Sequence, residues 1–226
     1  MRISEIFRSI QGEGRRAGQP CTFIRIAGCP QRCNWCDTAY ALKAHSGEVM
    51  HIEQIVEAAG LHGLDFVLIT GGEPLAHKDT PLLAQALLDA GARELAVETS
   101  GAFDVGPLPP EVHLVMDWKC PDSGEHQRNL DKNLWSLRKS DDLKFVIATR
   151  PDFDWAIEQV DKHQLCDRSV VYFSAVAAIP RDAPGGPDQP TLPPATLADW
   201  ILESKQPIRL QLQLHKLLWP NKDRGY

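Results

Sequence analysis

The sequence predicts an α/β fold: a partial, abbreviated (β/α) TIM-like barrel with about six parallel strands and fewer helices than strands. Three observations predict it. Apolar runs rich in β-formers recur at residues 22–27, 66–70, 95–99, 112–116, 143–147 and 170–173, with a further candidate at 208–212; runs of this length read as strands covered on both faces. Helical patterns lie between several of them, and strand alternating with helix implies a parallel sheet with right-handed crossovers. The alternation also has gaps, which shorten the barrel.

The helical patterns are carried by Ile52, Ile55, Val56 and Ala59, by Leu82, Leu83, Ala86 and Leu87, and by Trp155, Ile157 and Val160. Residues 101–110 hold Gly101, Gly106, Pro107, Pro109 and Pro110, so that connection is expected to cross over as a loop. Residues 121–142 are polar and allow a short helix near 131–137. The proline-rich stretch 183–194 reads as an irregular loop before a final helix at about 196–203. No internal repeat is evident, and 226 residues suit one domain spanning 1–226.

With 43% hydrophobic and 24% charged residues the composition is that of an ordinary globular protein, and a net charge of −6 argues against an extended phosphate-binding surface. No direct nucleic-acid partner is expected. The N-terminus has no apolar signal-peptide core, and no run approaches the roughly 20 apolar residues of a membrane helix, so a cytoplasmic location without membrane attachment is expected. The cysteines total six, too few for a disulfide-dense scaffold, and three crowd into eight positions. That placement points to a metal site.

Those three, Cys29, Cys33 and Cys36, have the spacing C-x3-C-x2-C directly after a predicted strand. Three thiolates on one short loop converge on three corners of a cubane, and the missing fourth cysteine leaves one iron for an outside ligand. A structural zinc site is the competing reading; it would need a fourth ligand such as His45 or His51, neither of which has the paired finger spacing. Cys21, Cys120 and Cys166 read as packing residues. The loop resembles the hallmark of the radical S-adenosylmethionine superfamily, whose last cysteine follows an aromatic residue, here Trp35. The resemblance implies a [4Fe–4S] cluster that binds S-adenosylmethionine and cleaves it to a 5′-deoxyadenosyl radical.

The predicted strand at 66–70 runs into Gly71-Gly72-Glu73-Pro74, and glycines at a strand's C-terminal end let a ligand approach the backbone. Polar residues also end the next strands, at Ser100 and Lys119, facing the same barrel mouth. The glycine turn resembles the superfamily's GGE motif, which implies cofactor contacts from Gly72 and Glu73, with Ser100 and Lys119 in reach of the nucleoside or carboxylate. Near-relatives carry Ser-Pro-Lys where this chain has Asp117-Trp118-Lys119, so Lys119 transfers most directly.

Read alone, Gln11, Glu13 and Arg25 offer amide, carboxylate and guanidinium groups close to the cysteine loop, enough for a polar heterocycle bearing a carboxylate. The strings I-F-x-S-I-Q-G-E-G, F-I-R-x-A-G-C, C-D-T and T-G-G-E-P, with residues 211–216 near the end, resemble the 7-carboxy-7-deazaguanine synthase family. That family is a radical carbon–nitrogen lyase of queuosine and 7-deazapurine biosynthesis; it contracts 6-carboxy-5,6,7,8-tetrahydropterin to 7-carboxy-7-deazaguanine with loss of ammonia. The resemblance implies substrate contacts from Ile10, Gln11, Gly12, Glu13, Arg25, Thr70 and His215, cofactor contacts from Trp35, Cys36, Asp37, Gly72 and Lys119, and Mg2+ held by Thr38. It also implies a flavodoxin or ferredoxin as electron donor. A homodimer is expected because an abbreviated barrel leaves strand edges and apolar surface to cover. Two other readings stand beside this one: an activating enzyme of a glycyl-radical protein, and a non-catalytic metal-binding module.

Overall fold

The structure, a computed structural model, describes residues 1–61, 66–176, 182–220 and 224–225. Its strands are β1 (Arg2–Ile10), β2 (Pro20–Ile26), β3 (Glu48–Val49), β4 (Phe66–Gly71), β5 (Glu94–Thr99), β6 (His113–Asp117), β7 (Asp142–Ile147), β8 (Val170–Ala175) and β9 (Arg209–Gln211). They form one open sheet in the order β3-β1-β2-β4-β5-β6-β7-β8-β9, parallel from β2 to β9. The candidate run at 208–212 is realised as β9, so one more parallel strand forms than the six main runs alone suggested.

Two strands escaped the sequence reading. β1 pairs antiparallel with β2, and the two-residue β3 pairs antiparallel with β1. The apolar residues of β1 do not alternate strictly, and only Ile3 is fully buried, so the segment lacks the pattern of an inner strand. A register irregularity between Ile3 and Glu5 sets Glu5 opposite Arg25.

The α-helices among the described residues are α1 (Ile52–Ala59), α2 (Thr80–Asp89), α3 (Asp131–Ser136), α4 (Arg150–His163), α5 (Leu165–Arg168), α6 (Pro194–Ser204) and α7 (Leu214–Leu218), and five 3-10 turns lie in the connections. The β5–β6 connection is a loop and β6–β7 carries only short helices, as the prolines and polar residues there dictate. Among the described residues no helix is long and apolar enough to cross a membrane.

Alternation along the strands sorts the interior into layers. Outward-facing Ile24, Ile26, Val67, Ile69, Leu95 and Val97 pack under Ile55 and Ala59 of α1 and Leu83, Ala84 and Leu87 of α2. On the other half Leu143, Phe145, Ile147, Val171 and Phe173 pack under Phe153, Ala156 and Val160 of α4 and Leu197 and Ile201 of α6. Each large side chain buried this way contributes about 1.5–3 kcal/mol, which fastens the helices to the sheet.

Inside the curve, Cys21, Phe23, Phe66, Leu68 and Ala96 form a small apolar base, with Phe7 stacked on Phe23 at 4.9 Å. One residue pair further along, the same inward face turns polar: Arg25, Thr70, Glu98, Asp117 and Lys144. Register sets Arg25 beside Thr70 and Asp117 beside Lys144.

The segment after β1 closes the N-terminal end of the barrel. Arg15 pairs with Asp142 at the start of β7 (2.7 Å) and Arg16 with Glu94 at the start of β5 (2.6 Å). The Gly14 N–H donates to Gln211 at 2.6 Å. Residues 11–13 thereby become a floor beneath the polar layer.

Candidate active site

A cavity of about 220 Å3 opens above this floor. Cys29, Cys33, Trp35, Cys36, Asp37, Thr38, Gly72, Ser100 and Lys119 line it together with Ile10, Gln11, Gly12, Glu13, Arg25, Thr70 and His215. Of the candidate residues read from the sequence, Glu73 alone lies outside that lining.

The cysteine loop leaves β2 through Gly28, whose φ of +104° suits glycine. The Gly28 N–H donates to the Ala41 carbonyl (2.7 Å) and the Cys29 N–H to that of Leu42 (3.1 Å). Asn34 donates through its backbone to Ser123 (3.0 Å) and through its side chain to the Asp122 carbonyl (2.7 Å). The Gly185 N–H donates in turn to the Asn34 carbonyl at 3.0 Å. A loop with few apolar residues is thus held by backbone bonds to three separate segments.

The three thiols are free and partly buried. Burial pushes Cys29 up to about 11 and Cys36 up to about 12, and Cys33 in the same direction. The charge of Cys33 raises both neighbours further, whereas the Lys119 ammonium pulls all three down, as do the N–H of Gln31 at Cys29 and of Thr38 at Cys36. Near neutral pH these groups hold their protons until a metal replaces them. Mutually coupled thiols, backbone donors aimed at sulfur and a cation within their field suit a cluster bound by three thiolates. Among the described residues no three His, Cys, Asp or Glu side chains converge as a single metal ion requires. His45 and His51, the fourth ligands a zinc site would need, are exposed and do not line the cavity that Cys29, Cys33 and Cys36 share. Cys21 and Cys120 are buried in apolar clusters and Cys166 packs against one.

The glycine turn also packs directly on the cysteine loop. A Cβ on Gly72 would lie 2.3 Å from the Gly28 carbonyl oxygen and 2.9 Å from Cys29 Cβ, so the close approach that requires glycine is by the cysteine loop itself. Two backbone bonds seal the contact, Gly72 N–H to Ile26 (3.0 Å) and Glu73 N–H to Gly28 (3.0 Å). The Glu73 carboxylate is fully buried. It accepts from the Leu75 N–H (2.9 Å), the Thr99 hydroxyl (2.7 Å), and both the N–H and hydroxyl of Ser100 (2.7 and 2.6 Å). All four lone-pair directions of the carboxylate are taken, and it is Ser100, held by Glu73, that reaches the cavity.

Around the floor the polar groups form a continuous chain. The Gln11 amide donates to Glu98 Oε1 (3.2 Å) and accepts from the Gly12 N–H (2.7 Å), and Thr70 donates to Glu98 Oε2 (2.8 Å). Burial, reinforced by the charge of Glu13, raises the pKa of Glu98. Burial also opposes the charge of Glu13, but the Lys144 ammonium and His215 outweigh it and hold Glu13 below the usual carboxylate value. Glu13 accepts from Lys144 and from Gln213 (2.6 Å). His215 is pushed down by burial against the opposing pull of Glu13 and Asp37. A Cβ on Gly12 would come within 2.5 Å of His215 Nδ1, which explains the glycine.

Arg25 donates its Nε–H to Glu5 at 2.7 Å, and its guanidinium lies over the rings of Phe7 and Tyr40 at 5.7 and 5.9 Å. Its Nη groups have no hydrogen-bond acceptor among the described residues, and Arg25 lines the cavity. Thr38 donates to Asp37 at 2.9 Å, and Lys216 stands 3.4 Å from the same carboxylate. Burial resists the charge of Asp37, yet Lys216, His215 and the Thr38 hydroxyl depress it well below the ordinary range. A hydroxyl beside a firmly ionised carboxylate is a hard oxygen donor set of the kind magnesium takes.

Glu98, Asp117, Lys144 and Gln213 also line the cavity and were not among the candidates. A signal for the first three was present: an ionisable residue at an inward position of an otherwise apolar strand has no place in a barrel except among partners or a ligand.

The comparisons agree with this geometry. Residues 23–111 match the model of the radical SAM superfamily. A protein of Koribacter versatilis described as 7-carboxy-7-deazaguanine synthase is 38% identical over 229 aligned residues, covering 100% of both chains. One of Chlorobaculum tepidum with the same description is 37% identical, covering 100% of this chain and 97% of the relative. Among solved structures, the crystal structure of QueE from Escherichia coli superposes with a TM-score of 0.68 at 21% identity, covering 93% of each chain. Streptococcus suis SuiB, bound to its precursor peptide SuiA, superposes at 0.58 over 88% of this chain and 50% of that one, with 13% identity. Full-length identity of this order, on a cavity where three cysteines meet a polar floor, establishes that the chain belongs to the 7-carboxy-7-deazaguanine synthase family of the radical SAM superfamily.

Proposed function

We infer that this chain is a 7-carboxy-7-deazaguanine synthase, a carbon–nitrogen lyase that contracts the ring of 6-carboxy-5,6,7,8-tetrahydropterin with release of ammonia. The observation that carries the reading is the single cavity shared by the cysteine loop and the chain Gln11–Glu98–Thr70 with Glu13 and Arg25. An activating enzyme for a glycyl-radical protein would have no use for that chain, and a passive metal module would have no use for the cavity.

Cys29, Cys33 and Cys36 would hold the [4Fe–4S] cluster, and the cluster with S-adenosylmethionine would supply a radical able to abstract hydrogen from the pterin. The chain's own residues bind and orient. Arg25, braced by Glu5, pairs its free Nη groups with the substrate carboxylate, the bidentate match guanidinium makes best. Glu13 accepts N–H groups of the heterocycle, Thr70 and the Gln11 amide set the polarity of Glu98, and His215 closes the site from the C-terminal segment. Ile10 and Gly12 shape the floor. Trp35, Cys36, Asp37, Gly72, Ser100 and Lys119 would surround the cofactor, with Glu73 acting through Ser100. Thr38, hydrogen-bonded to Asp37, is the proposed Mg2+ ligand.

A flavodoxin or ferredoxin would deliver the electron. A homodimer would cover exposed Leu210, Leu212, Leu217 and Leu218, which sedimentation analysis tests. Anaerobic reconstitution tests the rest: about four irons per chain, 5′-deoxyadenosine released with a reductant, and deazaguanine formed from the carboxylated tetrahydropterin, faster with Mg2+. Cofactor cleavage by an intact cluster without any deazaguanine would sink the reading. Cys33→Ala should abolish both products.

A further inference from the structure

Lys144 stands in β7 between Leu143 and Phe145, which face the outer core, and its own side chain is buried in the barrel interior. Burial alone would strip a lysine of its proton, but the carboxylates of Glu13, Asp117 and Glu98 all act on it and keep it charged. The ammonium bonds Glu13 Oε2 and stands 3.3 Å from Asp117 Oδ2. Those two carboxylates belong to different regions of the site. Glu13 lies on the floor, among the proposed pterin contacts. Asp117 ends β6; its Oδ2 also holds Lys119 at 3.1 Å, and its charge reaches Cys33 of the cluster loop. Asp117 Oδ1 is buried with no hydrogen-bond partner, an acceptor left over in the cavity wall.

We propose that Lys144 is a positioning residue that couples the two ligand subsites: by bridging Glu13 and Asp117 it makes the ordering of either side order the other. The proposal rests on the functional reading above. A heterocycle that donates to Glu13 fixes that carboxylate and, through Lys144, Asp117. Asp117 Oδ1 would then be an acceptor already in place for a donor of S-adenosylmethionine, and the coupling is reciprocal because it is a property of binding free energies. Without the cation, the carboxylates of Glu13, Glu98 and Asp117 would share a buried space uncompensated.

Equilibrium binding to the reconstituted holoenzyme under anaerobic conditions, without reductant, tests this. Wild type should bind the carboxylated tetrahydropterin at least about fivefold more tightly with S-adenosylmethionine present, and the reverse factor should be the same. In Lys144→Met each ligand alone should bind more weakly, and the factor should fall to about one, with four irons and the electron-spin resonance of the reduced cluster unchanged. Lys144→Arg, which keeps the charge in a different geometry, should give an intermediate factor. A wild-type factor of one, or an undiminished factor in Lys144→Met, overturns the inference. Should Lys144→Met not fold, Lys144→Arg decides alone, and a wild-type factor in it has the same force. Absence of deazaguanine formation by wild type overturns instead the functional reading.

Discussion

At the scale of single residues, Arg25 and Gly12 are fixed by what they touch. Arg25 is locked by Glu5 and two aromatic rings, so Arg25→Ala should leave iron content intact and remove roughly 2–4 kcal/mol of transition-state binding, about thirty- to a thousandfold in kcat/KM. Gly12 lies against His215, and a methyl group there would displace the imidazole. Gly12→Ala should therefore raise KM for the pterin about tenfold or more while the rate of S-adenosylmethionine cleavage without substrate stays near wild type. Equal loss of both would show that Gly12 matters for folding only. Arg25 and Gly12 were both legible in the sequence as residues of a motif, but their reasons were not: the glycine answers a histidine about two hundred positions away.

At the scale of elements, the glycine turn after β4 and the cysteine loop after β2 are one unit, zipped by backbone bonds and too close for any side chain at 72. Gly72→Ala should push the loop away and lower the iron bound after reconstitution, with circular dichroism of the helices retained. The start of α4 carries a second dependence. Asp152 accepts the N–H groups of Asp122 (3.0 Å) and Ala148 (3.2 Å), and burial, aided by the Asp122 carboxylate, pushes its pKa to about 6. Because that value lies above the 3.8 of an unperturbed aspartate, the stability linked to its proton is complete below about pH 4 and is lost as pH rises through 6. Asp152→Asn is neutral at every pH. Its melting temperature relative to wild type, measured on the apoprotein, should therefore climb between pH 5 and pH 8; a constant difference would refute the titration. The turn that Asp152 holds is the one that receives Asn34 of the cysteine loop.

At the scale of the molecule, the barrel is open, its helices lie outside, and its N-terminal end is stoppered by residues 11–16. The cysteine loop reaches three distant segments, at 41–42, 122–123 and 185, through backbone bonds. Filling the loop with a cluster joins those segments, so holoprotein should melt roughly 5–10 °C above apoprotein under anaerobic conditions, a few kcal/mol for a chain of this size. Cys33→Ala should erase the difference.

The sequence by itself determined the parallel strands, the missing crossovers and the cysteine loop, because each is written in spacing over a few residues: apolar runs, prolines and C-x3-C-x2-C. It placed the strip at 10–13 near that loop by family resemblance. Only the tertiary structure decided that Glu98, Asp117 and Lys144 belong to the site, that Glu73 stands behind Ser100 with its oxygens all engaged, and that the strip at 11–13 is the floor of the barrel. Those facts depend on strand register and on which face each residue turns inward. Spacing along the chain does not carry that information, since Glu13 meets Lys144 across 131 positions.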